Sequence, residues 1–392
     1  MKSKLLWREN FVDYLWAKHV TAKSYFFKSG MLIYEDNVLS GFAFPEEIRY
    51  AKETAYKKIG DIDKILKLES EFDEMKKEIK RQILSNLKAG LHNKTRKELL
   101  SEFDKVLDFF SKFVSKYKYL EPHVLKHFEG EALKKISEKT KRENPELVLA
   151  EIMAEKDGAL RRRLFKKYGL VNEENLFGIL EKIAEVRFEA KKIEREMIGY
   201  SENLLKETAR RTLIAVNQIS HLEYKELKEL LLFDKNPDLK TVNKRNKRFG
   251  LIINKGAIKD IEDERLAEII IKEKEKSGEN NCIKGTIAYP GSVKGVARLV
   301  PIMNESEEYF EYSKSLGKED VIITSMTSPD LTVAFDRVGG VITDEGGVMS
   351  HAALISRETK TPCLIGTGYA TKFFKDGDRI LLDAKQGIAY KK

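Results

Sequence analysis

The chain has 392 residues, 42% hydrophobic and 34% charged, with 72 Lys and Arg against 63 Asp and Glu for a formal net charge of +9. That length supports two or three domains with ample cores, and the lack of any run of about 18 apolar residues argues against a membrane-spanning helix. The dense basic clusters, Arg161-Arg162-Arg163, Arg210-Arg211 and Lys244-Arg-Asn-Lys-Arg248, all have acidic neighbours, which fits solvated helix faces better than a nucleic-acid surface.

Most of residues 1–280 reads as helix. An exception comes first: Met31–Phe44 holds two short apolar runs around Glu35-Asp36-Asn37 and is predicted to form a hairpin. Ile65, Leu68, Phe72 and Met75 then recur at helical spacing, as do Leu107, Phe110, Phe113 and Val114. The aromatic groups Ser24–Phe27 and Asp108–Tyr119 read as helical core packing. His123 and His127 stand four apart near Glu121 and Glu129, a spacing that could hold zinc, although no third ligand is marked and no metal site is expected. His19, His92, His123, His127 and His221 are otherwise structural histidines or contacts to a substrate. Glu173–Tyr200 is a long amphipathic helix carrying Leu176, Ile179, Ile183, Val186 and Ile193 on one face.

Half of the 24 glycines fall after residue 280, where the pattern changes to short strands. Lys272–Asn281 is charged and apolar-free, a linker. Beyond it Gly285–Ala288, Val296–Val300, Val321–Thr324, Val341–Thr343, Cys363–Ile365 and Ile380–Asp383 are predicted strands, and Ser328-Pro329 a helix start. The expected architecture is α+β and multidomain: a mainly helical region 1–271, a charged hinge 272–283, and a β/α domain 284–392. Cys282 and Cys363 lack ligand spacing and the N-terminus lacks a signal-peptide core, so the expected location is a reducing cytoplasm, with no membrane and no nucleic acid as partners.

The most informative stretch is Val341-Ile-Thr-Asp-Glu-Gly-Gly-Val-Met-Ser-His-Ala-Ala-Leu-Ile-Ser-Arg-Glu358. A β-branched run stops at Thr343, Gly346 and Gly347 form a loop, and a helix opens at Ser350-His351. That places an imidazole at a helix N-terminus, where unpaired N–H groups and the dipole favour an anion. Glycines let the backbone approach phosphate closely, and Ser350 can cap the helix. Such a histidine can attack phosphorus, so the local chemistry points to a phosphohistidine at His351.

Thr343–Glu358 followed by Thr361-Pro-Cys-Leu-Ile-Gly366 resembles the swivelling phosphohistidine domain of the phosphoenolpyruvate-utilising enzymes, which include phosphoenolpyruvate synthase, pyruvate phosphate dikinase and rifampicin phosphotransferase. Met349-Ser350 departs from the Thr-Cys or Thr-Ser of the synthases and dikinases and looks closer to the rifampicin phosphotransferase branch. A weaker similarity to that branch runs through Glu185–Arg248, around Arg187 and Ser220–Leu227. The resemblance implies a C-terminal β/β/α swivelling domain with His351 as catalytic nucleophile, and Thr327, Thr343 and Glu345 at the same sheet end.

Residues 1–280 contain neither Gly-x-Gly-x-x-Gly nor Gly-x-x-x-x-Gly-Lys, and no alternation fits an ATP-grasp domain or a (β/α)8 barrel. The expectation is therefore the phosphocarrier part of a split dikinase-type phosphotransferase. Mg-ATP would be bound by a separate ATP-grasp subunit and not by this chain. His351 would pass phosphoryl to a small-molecule hydroxyl or enolate held by the helical region. The alternative is a regulatory module phosphorylated on His351 without onward transfer.

Overall fold

The computed structural model describes residues 4–9, 14–24, 29–35, 38–140, 144–155, 157–254, 257–262, 264–266, 268–269, 282–300, 306–327, 329–348 and 350–392. Up to Glu121 the chain runs through β1 (Lys4–Glu9), α1 (Tyr14–Ser24), β2 (Ser29–Glu35), β3 (Val38–Ala43), α2 (Pro45–Ile59), α3 (Ile62–Ala89) and α4 (Arg96–Tyr117). Next come α5 (Pro122–Lys139), α6 (Pro145–Ala154), α7 (Gly158–Lys167) and the long α8 (Glu174–Thr212). Then follow α9 (Val216–Ile219), α10 (Tyr224–Phe233), α11 (Leu239–Lys247), β4 (Arg248–Asn254) and β5 (Ala257–Asp260).

The terminal part comprises β6 (Cys282–Lys284), β7 (Thr286–Tyr289), β8 (Ser292–Leu299), α12 (Ser306–Lys314), β9 (Asp320–Thr324) and β10 (Gly340–Thr343). It ends with α13 (His351–Glu358), β11 (Cys363–Ile365), α14 (Ala370–Phe373), β12 (Arg379–Asp383) and β13 (Ile388–Lys391). Helices predominate and each of two sheets is built among them, an α+β arrangement. No helix of the described residues is long and apolar enough to cross a membrane.

Two compact units result, Met1–Glu121 with Glu185–Glu268, and Pro122–Ala184 with Ile269–Lys392. The expected division into 1–271, 272–283 and 284–392 is corrected in two respects. Residues 122–184 fold with the terminal domain, because α6 packs on it and Glu146 Oε2 accepts from the Ile287 N–H of β7 at 3.3 Å. Cys282 and Ile283 are not linker but part of β6, which pairs antiparallel with β13. Residues 272–281, the rest of the expected hinge, lie outside the described residues.

The first unit is built on a five-stranded sheet ordered β1-β3-β2-β4-β5. The expected hairpin is β2 and β3, whereas β1, β4 and β5 lie where the sequence predicts a mainly helical region. Strand β4 joins β2 over the whole register from Ser29↔Asn254 to Glu35↔Arg248, a pairing that spans most of the chain. Tyr14, Leu32, Tyr34, Leu39, Phe249 and Leu251 close the core over it. The predicted helical faces are buried as expected: Ile65, Leu68 and Phe72 on α3, and Leu107, Phe110 and Phe113 on α4. Helix α4 starts at a capping box in which Thr95 and Glu98 each satisfy the other's backbone N–H.

The second unit carries an eight-stranded mixed sheet ordered β6-β13-β12-β8-β9-β10-β11-β7. Its centre is parallel, β8 to β9, β9 to β10 and β10 to β11, and both faces are covered. Val321, Ile323, Ile342 and Leu364 pack on one side, while Ile322, Val341, Cys363 and Ile365 pack on the other with Phe335, Ala352 and Ala353. Burial on both faces explains why these strands read as unbroken apolar runs. Pro329–Ala334, expected to open a helix after Ser328, is a short 3-10 helix.

Candidate functional site

Parallel register brings the ends of β9 and β10 together, with Thr324 opposite Thr343. The loops that leave these strands and β11 converge, the usual place for a ligand in an open parallel sheet. Each loop is turned in a similar way. Thr324 Oγ1 donates to Met326 O at 2.8 Å, and Thr343 Oγ1 donates to Glu345 O. Glu345 N donates to Ser325 O at 2.9 Å, and Thr367 N to Thr343 O at 3.0 Å, so the three loops are stitched to one another.

Gly346 sits at φ +116, a conformation that disfavours a side chain, and a Cβ there would lie 2.8 Å from Ser350 Oγ. Gly347 O accepts from Ser350 N at 2.8 Å, closing the turn into α13. Ser350 is the N-cap of that helix, and its hydroxyl accepts from Ala353 N at 3.3 Å. His351 therefore occupies the first helical position, half-buried, as the sequence indicates. Thr327, from the loop after β9, brings Oγ1 to 3.1 Å from His351 Nδ1. A hydroxyl on Nδ1 helps to fix the plane and tautomer of the imidazole.

Of the seven residues singled out, Thr327 and His351 meet directly, and Gly346, Gly347 and Ser350 form the turn that aims the imidazole. Thr343 is placed differently. It is fully buried and commits its hydroxyl to the loop, so it shapes the site from beneath. Glu345 is half-buried beside it, held through its backbone N–H.

Three residues were missed. Asp344, 3% exposed, accepts from Thr367 Oγ1 and Thr371 N, each at 3.2 Å, and from Thr371 Oγ1, which ties the β10 and β11 loops together. Its signal lay inside the motif, as an acid with no assigned task. Glu129 on α5 is buried with its carboxylate against Gly347, a placement that its position in the sequence two residues after His127 does not reveal. No group of three or more His, Cys, Asp or Glu among the described residues is placed to hold a metal ion. Arg357 on α13 is buried and donates through Nε to Ala288 O at 3.2 Å. Burial lowers its pKa to about 10, opposed by the negative charge of Glu129. Cys363 is buried and its thiol is pushed up to about 12, which makes it inert.

The remaining histidines are dispersed. His221 is buried in the first unit, with Nδ1 2.8 Å from Asn217 O and its ring against Tyr34 and Phe249. The His19 ring lies tilted against Tyr224, and that of His127 edge-on to Phe128. The side chain of His123 lies outside the described residues.

Residues 316–387 match the family model for the PEP-utilising enzyme mobile domain. A probable phosphoenolpyruvate synthase of Methanothermobacter thermautotrophicus is 36% identical over 119 residues, 30% of this chain and 16% of that one. The phosphoenolpyruvate synthase of Pyrococcus furiosus is 40% identical over 109 residues, covering 28% and 12% of the two chains. Rifampicin phosphotransferase of Bacillus cereus is 30% identical over 193 residues, 48% of this chain and 21% of the relative, a match reaching beyond the terminal domain. The chain thus spans about a fifth or less of the length of these curated relatives. Over residues 316–387 the terminal part of the chain is similar to the mobile domain of the PEP-utilising enzymes.

Proposed function

We propose that this chain is a phosphohistidine carrier, with His351 Nε2 as the atom that takes up and releases phosphoryl. The observation that carries the reading is the Thr327 hydroxyl 3.1 Å from His351 Nδ1, at the start of a helix and beside a glycine turn. In loading, the Nε2 lone pair forms the N–P bond while the P–O bond to the donor's leaving group breaks. In unloading, the N–P bond breaks as an acceptor oxygen bonds phosphorus and gives up its proton. Amides at the α13 N-terminus suit the phosphoryl oxygens, and the Ser350 cap orders that terminus.

The donor we infer is Mg-ATP held by a separate ATP-grasp subunit. His351 retains the β-phosphoryl, AMP leaves, and water takes the γ-phosphoryl as phosphate. The acceptor is a small-molecule hydroxyl or enolate, and the setting is the cytoplasm. Support comes from the mobile-domain match and from relatives named phosphoenolpyruvate synthase and rifampicin phosphotransferase.

The test is to incubate wild type and His351→Ala with cell extract and ATP labelled at the β or γ position. An acid-labile, alkali-stable label from the β position on wild type alone is expected. Label that survives His351→Ala, or none at all, would refute the carrier reading.

A further inference from the structure

Glu129 and Arg357 are both 6% exposed, and both belong to the second unit. They are in an unusual relation. The two terminal nitrogens of Arg357 are buried with no hydrogen-bond partner among the described residues, although Nε is satisfied by Ala288 O. A buried guanidinium with unmet donors is unfavourable, and a carboxylate is the group that relieves it best. Glu129 is an acid whose charge reaches Arg357, yet its oxygens rest elsewhere. They lie 2.2 and 2.5 Å from where a Cβ on Gly347 would stand, directly on the glycine loop.

Gly347 is tied to Ser350, the residue before His351, by the bond between its carbonyl and Ser350 N. A phosphoryl group on His351 would therefore share this loop with the Glu129 carboxylate. Two anions brought together in a partly buried place repel one another, far more than in open water. Phosphorylation would push Glu129 off the loop, and Arg357 offers it two unused donors.

We propose that Glu129 is a charge gate of the His351 site: it rests on the glycine loop while His351 is unmodified and passes to Arg357 when His351 carries phosphoryl. The ligand sensed is the phosphoryl dianion itself, and the proposal rests on His351 being its carrier. Glu129 then opposes loading and favours release, and helix α5, which bears it, shifts with each cycle.

The gate can be tested without any partner subunit. Potassium phosphoramidate transfers phosphoryl to imidazole, ammonia leaving as the N–P bond to histidine forms. Full-length wild type, Glu129→Gln, Glu129→Asp, Arg357→Lys and His351→Ala are treated with it. Label on His351 is located by mass spectrometry, and its lifetime is followed by phosphorus NMR after the reagent is removed. Glu129→Gln, nearly isosteric but neutral, is expected to load about threefold or more faster than wild type and to hold phosphoryl correspondingly longer. Glu129→Asp keeps the charge and is expected to stay near wild type, the reverse of what a purely steric role requires. Arg357→Lys, lacking the fork, is expected to shorten the phosphohistidine lifetime. Amide exchange across residues 122–139 should rise on phosphorylation in wild type and not in Glu129→Gln. His351 label whose rate and lifetime are indifferent to Glu129 overturns the gate alone. Absence of His351 label in every variant overturns the carrier reading and the gate together.

Discussion

Thr327 sets its hydroxyl 3.1 Å from Nδ1 of His351, although the two stand 24 residues apart on loops leaving different strands. Parallel pairing of β9 with β10 makes the meeting possible, since Thr324 and Thr343 end level with each other. With His351 as the proposed carrier, the contact decides which ring nitrogen faces the electrophile.

Thr327→Val should therefore blur that choice while Thr327→Ser preserves it. With phosphoramidate as probe, wild type is expected to give Nε2-phosphohistidine at His351. The valine variant should give a mixture of Nε2 and Nδ1 products and a roughly fivefold slower Nε2 reaction, the worth of one ordinary hydrogen bond of about 1 kcal/mol. Phosphorus NMR separates the two isomers, and an unchanged isomer ratio in Thr327→Val would remove the hydroxyl's orienting role.

Gly346 and Gly347 are adjacent but fail for different reasons when changed to alanine. At Gly347 the new methyl would meet the Glu129 carboxylate, 2.2 Å from Oε1, so overpacking should destabilise by about 1–3 kcal/mol. Glu129→Ala opens that space, and the Gly347→Ala/Glu129→Ala pair should recover part of the loss in a double-mutant cycle of thermal unfolding. At Gly346 the φ of +116 is itself the obstacle, so Gly346→Ala should show no such rescue. Equal coupling of both glycines to Glu129 would contradict the packing described.

The contrast between these residues marks what a sequence can disclose. Thr343–Glu358 is contiguous, its strand, turn and helix are set by local chemistry, and the placement of His351, Ser350 and the glycines follows from it. The core strands of the terminal sheet announce themselves as apolar runs because both faces are covered. Glu129 could not be found this way: it stands on a helix that joins the site only through tertiary packing, 218 residues before Gly347 in the numbering. Strand β4 was hidden for a similar reason. Its basic first residue continues a helical charge run, and its partner β2 lies more than 200 residues earlier in the chain. Helical periodicity was legible in α3 and α4, whereas the membership of α5 to α7 in the terminal unit was not, since it depends on contacts such as Glu146 to Ile287.

Asp344 gives a stability prediction within the same motif. Its carboxylate accepts from Thr367 and twice from Thr371, so removal leaves the half-buried Thr371 donors unmet, while the Thr367 hydroxyl keeps Thr343 O. Asp344→Ala should cost about 2–3 kcal/mol of unfolding free energy, and Thr371→Ala in that background should cost less than it does alone. Additive losses in denaturant unfolding would show that the three groups do not act as one cluster.

His221 supplies a pH dependence confined to the first unit. Burial holds its pKa below the ordinary value of 6.5, with the Asn217 carbonyl at Nδ1 opposing the shift and the Arg245 charge adding to it. Above pH 6.5 the imidazole is neutral whether the chain is folded or unfolded, and its titration leaves stability untouched. As pH falls below 6.5 the unfolded chain binds the proton first, so stability drops until the folded pKa is reached and then changes no further through this group. His221→Phe removes the proton site and keeps a ring against Tyr34 and Phe249. The thermal midpoint of wild type should decline more steeply than that of His221→Phe between pH 7 and pH 5, values chosen to bracket roughly the titration of an ordinary histidine. Parallel declines in the two proteins would place the acid sensitivity in groups other than His221.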